Sequence, residues 1–381
     1  MSKIKYKKAI ASVLGCNEER IFLYWKGRVA LYAILKSLDL KKSDEVIIPA
    51  FTCVVVPNAI IYAGLKPVYV DISPATCNMD VSLIESKITS HTKVIICQNT
   101  FGLSSDLESI IILAKKYNLF TIEDCTHGFG GFYNGKPNGS YCDAAFFSTQ
   151  WNKPFSTGIG GFLVVNNEVI LDRLKTVEKQ KIKPQLIEKL FLNLLLVFRK
   201  YFINKYTQSF LVNFYRFLSR YNLTVGSNRG EELNSINMPI DYYKDISRVQ
   251  INEGINSLRN IFQLNELRKK NALEYTKYLK SKDKNHVEEN VFANHIFLKY
   301  PLLVKDRDVF FELAQKSNIN LGDWFLSPLH PVRDRLDQWG LIKNDYPIAS
   351  AIAEKIVNLP TDIKETSEVI RFLEKNLDLI E

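Results

Sequence analysis

Over the first 180 residues, short apolar runs alternate with longer stretches whose apolar positions recur at helical spacing. The runs 21–25, 45–49, 67–72, 93–97, 119–122 and 144–148 read as strands. Several are apolar almost without interruption, which marks strands buried on both faces. Between them the spacing predicts helices over 29–38, about 54–63, about 82–88 and 107–117, and residues 1–20 read as an amphipathic helix and its exit. Strands and helices alternating in this way imply a mostly parallel sheet covered on both faces. Asn134-Gly135, between Gly131-Phe132-Tyr133 and Lys136, predicts a tight hairpin.

The rhythm stops at Lys181. Residues 186–202 carry a strongly apolar helical pattern, and 210–221 make a second, aromatic-rich piece. A bilayer span needs about 20 apolar residues free of charge, and neither piece reaches that. Aromatic and aliphatic residues interleaved with Arg and Lys suit helices lying on an anionic membrane surface. Packing against the protein itself or against a second copy is the other reading. Further on, 251–279 has the pattern of one long helix, 295–304 of a strand, 307–317 of a helix and 367–377 of a final helix. The expected organisation is a large α/β domain over 1–245, with a basic, aromatic helical insert at about 181–228, and a small α+β domain over 246–381.

The 381 residues suffice for about two domains. At 46% hydrophobic and 24% charged positions, the chain is globular rather than disordered. Its formal net charge is +9, but nine basic residues face the single acid Glu188 between 181 and 230, so +8 of that excess sits in the insert. The remainder is close to neutral, which argues against a nucleic-acid enzyme. Cys16, Cys53, Cys77, Cys97, Cys125 and Cys142 are scattered without a C-x-x-C pair, and the five histidines are isolated. Reduced thiols are expected, with neither a disulfide frame nor a metal centre. The basic N-terminus does not make a convincing signal peptide. A cytoplasmic location is expected, with peripheral contact at the inner membrane face as an option left by the insert.

The strand at 119–122 ends in Glu123-Asp124, and Lys153 follows the strand at 144–148. A carboxylate and a lysine, each just past a strand end of an α/β sheet, suit pyridoxal phosphate (PLP) chemistry. The amine condenses with the cofactor aldehyde, and the carboxylate keeps the pyridine nitrogen protonated so that the ring accepts electrons. Lys26-Gly27-Arg28 opens a helix whose N-terminal N–H groups can take an anion, with Arg28 as an added charge.

Ile122-Glu123-Asp124-Cys125-Thr126-His127-Gly128 is similar to the strand-end motif of the DegT/DnrJ/EryC1/StrS sugar aminotransferases, a PLP fold-type I family. Phe147-Ser148, Lys153 and Gly160-Gly161 resemble its Ser-Phe, Lys and Gly-Gly signature, and residues 44–52 and 66–71 resemble the corresponding blocks. The likeness covers nearly the whole chain outside the insert. It implies that Lys153 carries the cofactor and moves the proton, and that Asp124 pairs with the ring nitrogen. It places His127 near the phenolic oxygen, and Ser148, Gly27 and Arg28 on the phosphate. Asn99 and His330, the latter in a Pro-Leu-His turn, would then face the substrate. The implied donor is glutamate, and the acceptor a nucleotide-linked keto sugar for surface polysaccharide or a related glycan, handled by a homodimer. Lysine rather than histidine at 153 argues against the dehydratase members. Cys53 departs from the family, which often carries a ring-stacking aromatic there. Residues 242–250 keep the Ser and Gln positions of an Asn-x-Arg-Met phosphate motif without its Asn and Arg. An aminotransferase for a ring ketone outside nucleotide sugars, and a PLP-binding regulatory or peripheral membrane protein without turnover, are the alternatives.

Overall fold

A computed structural model describes residues 2–202, 207 and 230–381. The chain begins with α1 (Lys3–Leu14), β1 (Ile21–Tyr24), α2 (Gly27–Ser37), β2 (Glu45–Pro49), β3 (Thr52–Cys53), α3 (Val55–Tyr62) and β4 (Lys66–Val70). It continues through α4 (Val81–Ile84), β5 (Thr92–Gln98), α5 (Leu107–Tyr117), β6 (Phe120–Asp124) and the hairpin β7 (Phe132–Tyr133) and β8 (Lys136–Pro137). Next come β9 (Ala144–Ser148), β10 (Gly161–Val165), α6 (Glu168–Val177), α7 (Leu186–Phe202) and α8 (Gly230–Asn234). The last part holds α9 (Arg248–Ser257), α10 (Ile261–Ser281), β11 (Tyr300–Leu303), α11 (Arg307–Lys316), β12 (Leu329–His330), α12 (Pro347–Lys355), β13 (Ile356–Leu359) and α13 (Ser367–Lys375).

Seven strands make one sheet in the order β1-β10-β9-β6-β5-β2-β4. The pairs from β9 through β4 are parallel, while β10 is antiparallel to both β9 and β1. This is the α/β fold expected from the alternating pattern, with a mixed, mostly parallel sheet. Alternate side chains feed two cores, as the pleat requires. Phe146 packs with α2 and α3 on one face, and Ala145 and Phe147 pack with α1 and α9 on the other. The five residues of β9 and of β10 are all buried, which is why these runs carry no polar alternation.

β11 and β13 pair antiparallel and build a separate core with α10, α11 and α13, around Tyr275, Tyr300, Phe310 and Phe372. β12 instead pairs parallel with β3, matching His330 to Cys53, and so brings the C-terminal part to the edge of the sheet.

Two expected elements differ. The long helix breaks into α9 and α10 at a 3-10 turn, Leu258–Asn260. No Gly or Pro marks the break, and Ser257 spends its hydroxyl on the Ser156 carbonyl (2.9 Å). The strand expected over 295–304 shortens to β11. Phe297 turns into the left-handed region (φ 52°), and the N–H of Ile296 goes to the Gly102 carbonyl (3.0 Å) instead of to a strand partner. The helix expected at 186–202 is α7, whereas the piece at 210–221 lies outside the described residues.

Candidate active site

The parallel strands deliver their C-terminal ends to one edge. Gln98 and Asp124 end β5 and β6 in register, and β9 ends nearby at Ser148. β1 runs parallel to β9 through the intervening β10, so the start of α2 reaches the same edge. One cavity there is lined by Gly27, Arg28, Asp124, His127, Ser148 and Lys153.

Asp124 is buried, and its Oδ1 accepts the Thr126 N–H at 2.9 Å. Burial pushes its carboxyl above the usual range, opposed by the Thr126 hydrogen bonds and by the charge of Lys153. Desolvation in turn lowers Lys153 from 10.5 to about 8, with Asp124 opposing. A lysine at that value exchanges a proton readily near neutral pH. Its Nζ stands 4.5 Å from the centroid of the Trp324 ring.

His127 stacks parallel on Trp324, with centroids 4.6 Å apart. Its Nδ1 accepts the Phe101 N–H at 3.2 Å, so in the neutral ring the proton sits on Nε2. Burial first, then the charges of Lys153 and His330, hold its pKa well below 6.5, and the ring is neutral at pH 7.

The anion cradle rests on close backbone approach. A Cβ on Gly27 would come within 2.9 Å of the Ser148 Cβ, and one on Gly161 within 2.3 Å of the Gly27 Cα. Only glycines let α2 dock its N-terminus onto β9 and β10, and the opening turn of a helix favours an anion. Lys26 and Arg28 flank this turn and share the buried Glu232 of α8, at 3.5 and 2.7 Å. Burial disfavours the Arg28 charge, and Glu232 more than restores it.

The Lys153 loop is braced from several sides. The Thr149 and Thr157 hydroxyls meet at 2.6 Å, and Arg268 of α10 donates to the Pro154 carbonyl at 3.2 Å. Gln250 closes a capping box with Ser247, and its Nε2 donates to the carbonyls of Trp25 (3.1 Å) and Ile159 (2.7 Å). One side chain thus ties the approach to α2 to the glycine end of the lysine loop. A half-buried lysine of lowered pKa, a buried carboxylate and a cationic, glycine-opened helix N-terminus fit PLP. Among the described residues, no group of three or more His, Cys, Asp and Glu is placed to hold a metal.

Residues 18–194 and 226–373 match the DegT/DnrJ/EryC1/StrS aminotransferase family. The chain belongs to that family. It is 45% identical to the GDP-perosamine synthase of Escherichia coli O157:H7 over 147 residues, which are 39% of this chain and 40% of that protein. It is 41% identical to the dTDP-3-amino-3,6-dideoxy-alpha-D-galactopyranose transaminase of Aneurinibacillus thermoaerophilus over 152 residues, 40% of this chain and 42% of that protein. Both matches therefore span less than half of the relative's length. The crystal structure of ntda from Bacillus subtilis with bound cofactor PMP superposes with a TM-score of 0.70 at 20% identity, covering 98% of this chain and 76% of that one. That likeness is one of fold. The family is one of PLP-dependent sugar aminotransferases.

In this family member, Lys153, Asp124, His127, Ser148, Gly27, Arg28 and His330 converge on the cavity. Asn99, expected at the substrate, does not. It is fully buried, its Nδ2 donates to Glu123 (2.8 Å) and its Oδ1 accepts the Ser105 N–H (3.0 Å). It holds the loop after β5 to the buried Glu123 beneath the site. Sequence reasoning missed Trp324, which reaches the cavity from the C-terminal part beside Cys53. It missed Glu232 and Gln250 as well, because each acts on residues more than 200 positions away along the chain. The one available signal was the Ser-Gln pair kept at 247 and 250.

Proposed function

We propose that this chain moves an amino group from glutamate to a keto sugar carried on a nucleoside diphosphate, as a homodimer, in the making of surface polysaccharide or a related glycan. One observation carries the reading: Lys153, Asp124 and the glycine-opened N-terminus of α2 meet at one cavity on the strand C-termini. Relatives named for GDP- and dTDP-linked sugars support the choice of acceptor.

PLP, when bound, would supply an aldehyde that exchanges amines and a ring that draws electrons from the carbon losing its proton. Lys153 would take a proton at Nζ from the donor carbon and deliver it to the carbon that bore the aldehyde, and would move a proton the opposite way for the acceptor, which its value of about 8 permits. Asp124 would hold a proton on a ring nitrogen, because a cation at hydrogen-bond distance offsets the desolvation that raises its carboxyl. Neutral His127 donates from Nε2 to a ring oxygen. The N–H groups opening α2, the Ser148 hydroxyl and Arg28 hold the phosphate, with Glu232 keeping Arg28 charged and in place. Trp324 and Phe325 line the cavity with the lysine, as does His330, to which we assign the substrate contact.

The test is to give the protein isotopically labelled glutamate and a panel of GDP-, dTDP- and UDP-linked keto sugars. Mass spectrometry should find the label in an amino sugar. Label that leaves glutamate for none of the nucleotide sugars, but for a free ring ketone, would place the acceptor elsewhere.

A further inference from the structure

α7 has its apolar face on the wrong side for a helix of a globular protein. One narrow stripe packs inward, where Leu192 is fully buried against Trp25 and Ile159, with Leu196 partly covered. On the opposite side Leu190, Leu194 and Tyr201 are 61, 62 and 70% exposed, and Val197, Phe198 and Phe202 are exposed too. At 3.6 residues per turn these six cover roughly 140° of arc. A surface helix normally turns such a face to the core. A contiguous apolar patch of this kind marks a contact surface.

We propose that α7 is an interfacial helix that lays the protein on an anionic phospholipid bilayer. The choice of occupant rests on charge. Residues 181–230 carry a net +8, almost the whole excess of the chain. Helical spacing puts Lys189 and Lys200 along one border of the stripe, where their stems can lie on apolar surface and their ammonium groups reach lipid phosphates. An apolar face bordered by cations is the pattern of helices that lie in the headgroup region of anionic membranes. A second copy would set one +8 segment against another, which like-charge repulsion opposes. Among the described residues, no helix is long and apolar enough to cross the membrane, so the contact is peripheral.

The inner side of α7 touches the lysine loop. Arg199 stacks over the Trp151 ring with its guanidinium 5.1 Å from the centroid, and Leu192 sits against Gly158. A helix held at a membrane therefore keeps the Lys153 loop beside the leaflet.

The experiment sediments the full chain, loaded with PLP, with vesicles of phosphatidylcholine alone and with vesicles that also contain phosphatidylglycerol, at low and high salt. Binding to the anionic vesicles only, weakened by salt, is expected. Replacing Leu190→Glu, Leu194→Glu and Phe198→Glu together should cut that binding by about tenfold or more while PLP is retained. Equal binding to neutral vesicles, binding undiminished in the triple variant, or no binding to either vesicle overturns the proposal. In the last case, a wild-type dimer that the variant turns to monomer assigns the face to a second copy. The wild-type comparison decides even if the variant fails to fold.

Discussion

Lys153 sits among groups that set its protonation, and the sign of each can be tested. Desolvation lowers it to about 8 from 10.5. Amine-reactive labelling of the protein without cofactor, followed by peptide mapping, should show Lys153 gaining reactivity through about 8, while exposed lysines do so near 10.5. Since the folded value is depressed, the unfolded chain binds more protons between the two values. The contribution of this group to stability therefore rises with pH from about 8 to about 10.5 and is lowest below that window. Glu232 is the second decisive residue. Its carboxylate is shared by Lys26 and Arg28, and Glu232→Gln leaves a buried guanidinium short of its counter-charge. Breaking a buried pair from one side costs about 3–5 kcal/mol, and urea unfolding should show a loss of that order. Trp324 stacks on His127 and lines the same cavity as Cys53. Trp324→Ala should release PLP faster on dialysis than Trp324→Phe, with the ring contact worth about 1 kcal/mol.

At the scale of elements, the site depends on how tightly α2 meets β9 and β10. Gly161→Ala sets a methyl 2.3 Å from the Gly27 Cα, where backbone rather than a flexible side chain must move. Overpacking of this kind costs about 1–3 kcal/mol, and it should fall mainly on PLP affinity, read by titration, because the displaced turn is the one proposed to take the phosphate. The elements themselves were largely legible. β9, α5 and α7 fall where periodicity puts them, because one residue pattern decides each. The break between α9 and α10 was not legible, since no helix-stopping residue marks the turn at Leu258–Asn260, where Ser257 contacts Ser156 of the lysine loop. The missing strand at 295–299 was not legible either. Its backbone is claimed by Phe101 and Gly102, nearly 200 residues earlier.

For the whole molecule, the strand-end residues Asp124, Ser148 and Lys153 were readable because a parallel sheet sends every C-terminal end to one edge. What closes that edge was not, because Trp324, Glu232 and Gln250 arrive from parts of the chain that no local pattern connects to it. Asn99 shows the converse. The family resemblance implied a substrate contact for it, and its burial against Glu123 shows a structural anchor. The measurement that bears most directly on the reaction is the visible absorbance of the purified protein with PLP, before and after glutamate, beside Lys153→Ala. A yellow band in the wild type that glutamate discharges, absent from the variant, is the expected result. A wild type that forms no such band, or a variant that forms it equally well, would contradict the role given to Lys153 and with it the aminotransferase reading.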